Sequence, residues 1–110
     1  MAATLEPREY AEGGWSPFAD WFEALDAVTA ARVDRYVRRL EAGNFGVAKP
    51  LRDGLFGLKL DFGPGYRIYF GRDGKTVIIL LGSGTKRRQD ADIAAALQSW
   101  KRYKQGQPWH

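Results

Sequence analysis

The sequence predicts an α+β fold, a small and mostly antiparallel sheet with helices packed on it, in the element order β-α-α-β-β-β-α. Three observations predict it. Apolar residues recur at helical spacing near both ends of the chain. Between them, residues 55–81 alternate apolar with polar side chains and then become continuously apolar, which is typical of strands. Gly63-Pro64-Gly65 and Arg72-Asp73-Gly74 are tight-turn sequences, so they predict hairpins between consecutive strands.

The first predicted elements are a weak strand and a short helix. The strand spans Leu5–Tyr10, where Pro7 lacks a backbone donor and confines the strand to a sheet edge or to an irregular pairing. Ser16 followed by Pro17 predicts a helix start, with the serine as N-cap and the proline at the first helical position. The apolar stripe of this helix consists of Phe18, Trp21, Phe22 and Leu25.

A second helix is predicted over Thr29–Glu41, and Gly43 is placed to end it because glycine favours the left-handed conformation that follows many helices. Its core-facing residues are Val33, Val37 and Leu40. The residues expected on its solvent face include Arg35, Arg38 and Arg39. We expect the two helices to form a hairpin against one face of the sheet. The next segment, Asn44–Gly54, contains Pro50 and is predicted to be a loop.

Three strands and a last helix follow. The strands are predicted over Leu55–Phe62, Tyr66–Gly71 and Thr76–Leu81, and the helix over Gln89–Lys104. The third strand is apolar at nearly every position, so it is expected to be the most buried. The first two strands alternate, which predicts a sheet face that stays partly open. The side chains predicted on this open face are Gly57, Lys59, Asp61, Arg67 and Tyr69.

Composition limits the class of protein. With 110 residues, 45% of them hydrophobic, residues 1–110 are expected to form a single domain whose core needs no metal or disulfide. The absence of cysteine excludes thiolate zinc sites and cysteine nucleophiles. No leader-like segment opens the sequence, and the longest apolar run, Val77–Leu81, is too short to span a bilayer. We therefore expect a cytoplasmic protein without a membrane partner.

Common catalytic groups are missing from the sequence. The one histidine is His110, the last residue, so neither a Ser/His/Asp set nor a metal-binding cluster is predicted. The glycines of FGPGYR (62–67) do not have the spacing of a phosphate-binding loop. No metal and no cofactor is therefore expected.

The sequence offers cations instead, with a net charge of +4 and an isoelectric point near 9.6. Lys59 and Arg67 are predicted on neighbouring antiparallel strands and on one face, so their side chains converge, and the basic turn Thr85–Gln89 follows the next strand. Such a set can hold an RNA phosphate and stabilise the charge of a pentacoordinate transition state, while the RNA 2′-hydroxyl supplies the nucleophile. The same cations are also compatible with a solvated surface or with a face that docks a protein.

Three runs of the sequence carry a family resemblance. They are GNFGVAKPL (43–51), GLFGLKLDFGPGYRIYF (54–70) and VIILLGSGTKRRQDADIAAA (77–96). Together they resemble the RelE/HigB toxin superfamily, and more narrowly its phage Gp49-like branch of addiction-module killer proteins. The resemblance covers about Ser16–Lys104 and implies a RelE-like fold, a small sheet with helices packed on one side.

The resemblance implies a small cytoplasmic toxin of a type II toxin–antitoxin operon. Most members cut mRNA in the ribosomal A site as metal-independent endoribonucleases (mRNA interferases), and an antitoxin, in this branch a HigA-like helix-turn-helix protein, neutralises them. Arg67 matches the phosphate-stabilising arginine and Lys59 a catalytic lysine, acting as general base or second electrostatic partner. Lys86 and Arg87 match the catalytic basic turn. The further residues expected to bind RNA are Arg88, Gln89 and Tyr69, the tyrosine by stacking on a base.

Two positions depart from the family pattern. Gly57 stands where this branch usually has a glutamate and where ribosome-dependent relatives have a second lysine. Asp92 and Ile93 stand where some relatives carry a tyrosine or histidine in the last helix. Two other functions stay open on the sequence: a ParE-like toxin that acts on a protein target such as DNA gyrase, and a non-catalytic homologue that only binds its antitoxin.

Overall fold

The computed structural model describes residues 4–46 and 48–106 and shows a five-stranded sheet with helices on both faces. The strands are β1 (Glu6–Glu9), β2 (Lys49–Arg52), β3 (Leu55–Lys59), β4 (Arg67–Asp73) and β5 (Val77–Gly84). Their order across the sheet is β1-β5-β4-β3-β2. β1 runs parallel to β5 and the other neighbouring pairs are antiparallel, which confirms the predicted α+β class and the mostly antiparallel sheet.

The first two helices, α1 (Pro17–Glu23) and α2 (Ala27–Glu41), each begin at a side-chain cap. The Ser16 hydroxyl, the predicted cap of α1, accepts a hydrogen bond from the backbone N–H three residues later at 3.1 Å. The Asp26 carboxylate does the same for α2 at 3.2 Å, so α2 starts slightly earlier than predicted. Each cap satisfies a backbone donor that the helix itself leaves unpaired.

These two helices pack against one face of the sheet, as the sequence predicts. Phe18 of α1 and the α2 residues Val33, Val37 and Leu40 are buried there. The sheet residues in the same core include Leu58, Leu60, Ile68, Phe70, Ile78 and Leu80. Every second side chain of β3 and β4 thus meets the apolar stripes of the helices. This is expected, because side chains alternate between the two faces along a strand and recur every three to four residues on one face of a helix.

Helix α3 (Gln89–Gln105) covers much of the opposite face, more than the sequence predicted. Trp100 lies over Gly71, where an added Cβ would come within 2.6 Å of the indole. A Cβ added to Gly84 would overlap the Asp92 carboxylate even more severely. The two glycines therefore let α3 lie close to β4 and β5. The side chains buried beneath it include Tyr10, Leu55, Tyr69, Ile79 and Leu81.

Strand β5 is buried on both sides, as predicted. Ile78 and Leu80 face the core of α1 and α2, whereas Ile79 and Leu81 face α3, so consecutive positions are apolar. The strand continues past its predicted end at Leu81 to Gly84, because the glycine-containing segment still pairs with β4. β3, by contrast, ends earlier than predicted.

The segment predicted as a loop, Asn44–Gly54, contains β2, so that prediction is wrong for residues 49–52. Pro50 is compatible with a strand here because β2 lies at the edge of the sheet, where one row of backbone groups needs no partner. The turn between β2 and β3 contains Asp53 at a φ of 54°, and the Trp100 indole donates to the Asp53 carbonyl at 2.8 Å.

Within the described residues, no helix is both long and apolar enough to cross a membrane. The predicted basic turn between β5 and α3 contains a 3-10 turn, Lys86–Arg88. His110 lies outside the described residues.

Candidate nucleic-acid interface

An open groove lies beside the N-terminal end of α3, on the part of the sheet face that the helix leaves uncovered. Its cavity volume is about 530 Å³. Its lining comprises Lys49 and Leu51 of β2, Gly57 and Lys59 of β3, Arg67 and Tyr69 of β4, Gln89 and Ile93 of α3, and Asp61 just beyond β3. Three strands and the start of a helix therefore build one site.

Lys59 and Arg67 face each other across β3 and β4. The two residues are paired directly in the antiparallel register, so their side chains leave the sheet on the same face. Nη1 of Arg67 donates to the Gly65 carbonyl at 2.9 Å, which fixes the guanidinium at the turn between the strands. A guanidinium has five N–H donors, so most of them remain for a ligand. The register confirms the prediction that the two cations lie on neighbouring antiparallel strands and on the same face.

The basic turn after β5 lies against the turn between β3 and β4. A Cβ added to Gly65 would lie 3.1 Å from Cβ of Lys86 and 3.4 Å from Nη1 of Arg67. Lys86 and Arg67 therefore flank the same glycine. The structure thus brings together Lys59, Arg67 and Lys86, three of the residues that the sequence nominated.

The remainder of the basic turn is arranged differently. Gln89 begins α3 and lines the groove, whereas Lys86, Arg87 and Arg88 are exposed and stand outside the lining formed by the described residues. Arg88 acts on Asp92 instead: burial raises the pKa of the Asp92 carboxyl, and the positive charge of Arg88 partly offsets the rise.

Tyr69 lines the groove from within the protein core. Its side chain is 1% exposed and lies beneath α3, which corrects the prediction that it projects from an open sheet face and leaves no ring face free to stack on a base. Its hydroxyl is buried without a hydrogen-bond partner among the described residues. Burial raises the pKa of this hydroxyl, Arg67 lowers it and Asp92 raises it further, so the group is protonated at neutral pH.

The groove also contains residues that the sequence did not nominate. Lys49 and Leu51 line the groove because β2 pairs with β3. The sequence had predicted a loop where β2 lies, so neither residue was expected there. The four residues Lys49–Arg52 are all exposed and do not alternate between apolar and polar side chains, so the sequence carried no clear strand signal there. Ile93 lines the groove from the first turns of α3, a position that the sequence marked only as a departure from the family pattern.

The charge of the groove is positive. Lys49, Lys59 and Arg67 line it, and Asp61 is the one carboxylate among the described lining residues. A concave surface with this balance attracts anions. Within residues 4–46 and 48–106, no group of three or more His, Cys, Asp or Glu side chains comes together that could hold a metal ion.

Comparison with curated proteins finds a clear relative. An uncharacterized protein of Haemophilus influenzae is 40% identical to this chain over 80 residues, which are 72% of this chain and 81% of the relative. The chain belongs to the family of this Haemophilus protein. A scan against protein-family models gives no match for the chain.

Comparison with solved structures identifies the fold of the chain. The chain is similar to the Escherichia coli toxin RelE, solved as a double arginine-to-alanine mutant in the free state. The TM-score is 0.61, and the match covers 89% of this chain and 97% of RelE at 19% sequence identity. The family member therefore has a RelE-like fold, as its sequence predicted.

Proposed function

We propose that the chain is the toxin of a type II toxin–antitoxin system and acts as a ribosome-dependent mRNA interferase, a metal-independent endoribonuclease. The observation that carries the proposal is the pairing of Lys59 with Arg67 in an open groove, with Lys86 beside Arg67 across Gly65. The RelE-like fold supports it, since the solved neighbour is a toxin. The resemblance of the sequence to the phage Gp49-like branch of the RelE/HigB superfamily supports a place in that branch.

The proposed reaction uses the RNA 2′-hydroxyl as the nucleophile. Its oxygen forms a bond to the adjacent phosphorus, and the bond from phosphorus to the 5′-oxygen of the next nucleotide breaks. One product ends in a 2′,3′-cyclic phosphate and the other begins with a 5′-hydroxyl. The proton leaves the 2′-oxygen and returns to the 5′-oxygen through water in the open groove. The protein has to hold the backbone in line and neutralise the charge that develops on the phosphate.

Arg67 is placed to supply most of this neutralisation. The Gly65 carbonyl orients its guanidinium, and a planar guanidinium binds two phosphate oxygens at once. Lys59 adds a second positive charge from the neighbouring strand. The basic turn, residues 86–88, binds the phosphates that flank the cut. These roles need charge and position: Lys59 and Arg67 supply both in the groove, and Lys86 stands beside Arg67 at its edge.

The same proposal names the partners. The ribosome with its mRNA is the target, a HigA-like helix-turn-helix antitoxin is the neutralising partner, and the cytoplasm is where they meet. A stable complex between the two purified proteins that abolishes RNA cleavage is the expected result.

Mapping the 5′ ends of cellular mRNA after brief induction tests the proposal. Arg67→Ala is compared with wild type and with Arg72→Ala, a matched control on the same strand whose guanidinium lies over the Phe45 ring at 4.8 Å on the other face of the sheet. We expect cuts inside translated codons with wild type and Arg72→Ala. Arg67→Ala should cut roughly 10²–10³-fold more slowly, because it lacks the main stabiliser of the transition state.

Thermal unfolding of both variants provides the control for folding. Full cleavage by a folded Arg67→Ala protein would refute the site. Growth arrest with intact mRNA would refute the ribonuclease and direct the search to a protein target such as DNA gyrase. Unaffected growth and intact mRNA would leave a homologue that only binds its antitoxin.

A further inference from the structure

Part of the groove is not explained by phosphate chemistry. Its lining includes the apolar side chains of Leu51 and Ile93, the bare backbone of Gly57 and the amide of Gln89. Leu51 is 38% exposed and ranks among the few large apolar side chains that the described part of the protein leaves open to water. A phosphate gains nothing from such a surface, whereas a flat heterocycle gains by covering it.

The fold does not require a glycine at position 57. Its φ lies outside the left-handed region that favours glycine, and an added Cβ would lie 3.2 Å from Cδ1 of Leu51 and 3.6 Å from Cδ1 of Tyr69. The tight contact involves only the tip of an exposed leucine, which can move. A larger side chain at position 57 therefore fits the backbone but fills the groove. The absence of that side chain keeps a space open above Tyr69.

One polar side chain with unused hydrogen-bonding capacity borders this space. The Gln89 side chain lines it and makes no hydrogen bond to the described residues, so its carbonyl and its NH2 group are both free. The Tyr69 hydroxyl also has no partner among the described residues, but it is buried in the core below the groove and is not presented to a ligand.

We propose that this part of the groove, Leu51, Gly57, Gln89 and Ile93 above Tyr69, binds one nucleobase of the RNA and that Gln89 selects adenine. The inference rests on the proposed function, because it takes the base to belong to the nucleotide whose phosphate meets Lys59 and Arg67. Bound bases in single-stranded RNA are splayed out and read at their edges, and an apolar cleft beside a phosphate site suits that arrangement.

Adenine is favoured by the chemistry of the glutamine amide. An amide presents one acceptor and two donors, which matches the N6 donor and N7 acceptor of adenine in a bidentate pair. The corresponding edge of guanine offers two acceptors and is matched by arginine or lysine. A purine also covers more of the apolar surface of Leu51 and Ile93 than a pyrimidine does.

Titration of the purified protein with the four nucleoside 3′-monophosphates, followed by NMR, tests this inference without requiring cleavage. We expect adenosine 3′-monophosphate to bind about tenfold more tightly than the others, which corresponds to one good bidentate pair, and to shift the side-chain amide of Gln89 and the backbone amide of Gly57. Gln89→Leu, similar in volume, should bind all four nucleotides alike. Gly57→Val should weaken each of them toward the affinity for inorganic phosphate.

Equal binding of the four nucleotides to wild type would overturn the inference, as would an adenine preference that survives Gln89→Leu. Well-dispersed spectra of both variants exclude misfolding as the cause. If the 5′-end mapping shows no RNA cleavage, the proposed function fails, yet the titration still shows whether the groove selects adenine, so the two failures are distinguishable.

Discussion

Asp92 occupies a place that disfavours its charged form. The carboxylate packs against Gly84 of β5, and burial raises the pKa of this carboxyl above its usual value, with Arg88 as the opposing charge that lowers it. An acid at the N-terminal turn of a helix normally gains from the helix dipole. At Asp92 desolvation outweighs that gain, so the ionised residue holds α3 to the sheet less well than the neutral one.

Asp92→Asn should therefore change how stability depends on pH. A group whose pKa is raised in the folded state contributes stability that is fully present below its unfolded pKa and is lost as the pH rises through its folded pKa. We expect the free energy of unfolding of Asp92→Asn to increase relative to that of wild type as the pH rises from about 4 to about 7. Urea unfolding at each pH measures this difference. Asp90→Asn, an exposed neighbour in the same turn, is the control. Identical pH profiles for the two variants would contradict this account of Asp92.

Helix α3 determines which part of the sheet face is a site. The alternation of β4 predicts that Arg67 and Tyr69 share a face, and the register confirms that Arg67 meets Lys59 there. The pattern says nothing about what covers each residue, so it could not show that α3 buries Tyr69 and leaves Arg67 in the groove. That outcome depends on how α3 packs against strands that are distant in the sequence, which local sequence patterns do not specify.

Strand β2 escaped prediction for a related reason. It has four residues, one of them proline, and its pairing with β3 comes from the tight turn at Asp53 rather than from its own composition. Short edge strands carry a weak local signal, because half of their backbone needs no partner. The groove wall that β2 supplies, and with it Leu51, was therefore hidden at the level of the sequence.

Gly71→Ala tests the close approach of α3 to the sheet. An added Cβ would come within 2.6 Å of Cη2 of Trp100, so the helix or the indole has to move, and we expect a loss of about 1–3 kcal/mol in the free energy of unfolding. Gly82→Ala on the adjacent strand is the matched control, since its added Cβ would meet nothing within 4 Å. Urea unfolding measures both. Equal stability of the two variants would show that α3 is not held closely to β4.

The positive charge of the protein as a whole is divided between two uses. On the α2 side, Arg32 lies 5.0 Å from the Phe62 ring centre and Arg39 lies 4.7 Å from that of Tyr36, so these arginines cover aromatic rings of the protein itself. Arg38 forms exposed ion pairs with acidic neighbours on its own helix. Lys59 and Lys86 have no ion-pair partner within residues 4–46 and 48–106. The location of the cations, rather than the net charge of +4, is therefore what supports a phosphate site.

The central claim is that Lys59 and Arg67 promote attack by the RNA 2′-hydroxyl, and the chemistry of the cut ends tests it most directly. Purified protein is incubated with ribosomes programmed with a short mRNA, and with the same mRNA carrying a 2′-deoxynucleotide immediately 5′ of the mapped cut. We expect a 2′,3′-cyclic phosphate at the new end and no cleavage of the deoxy-substituted mRNA. Cleavage that persists without the 2′-hydroxyl, or no cleavage by folded wild-type protein, would contradict the account.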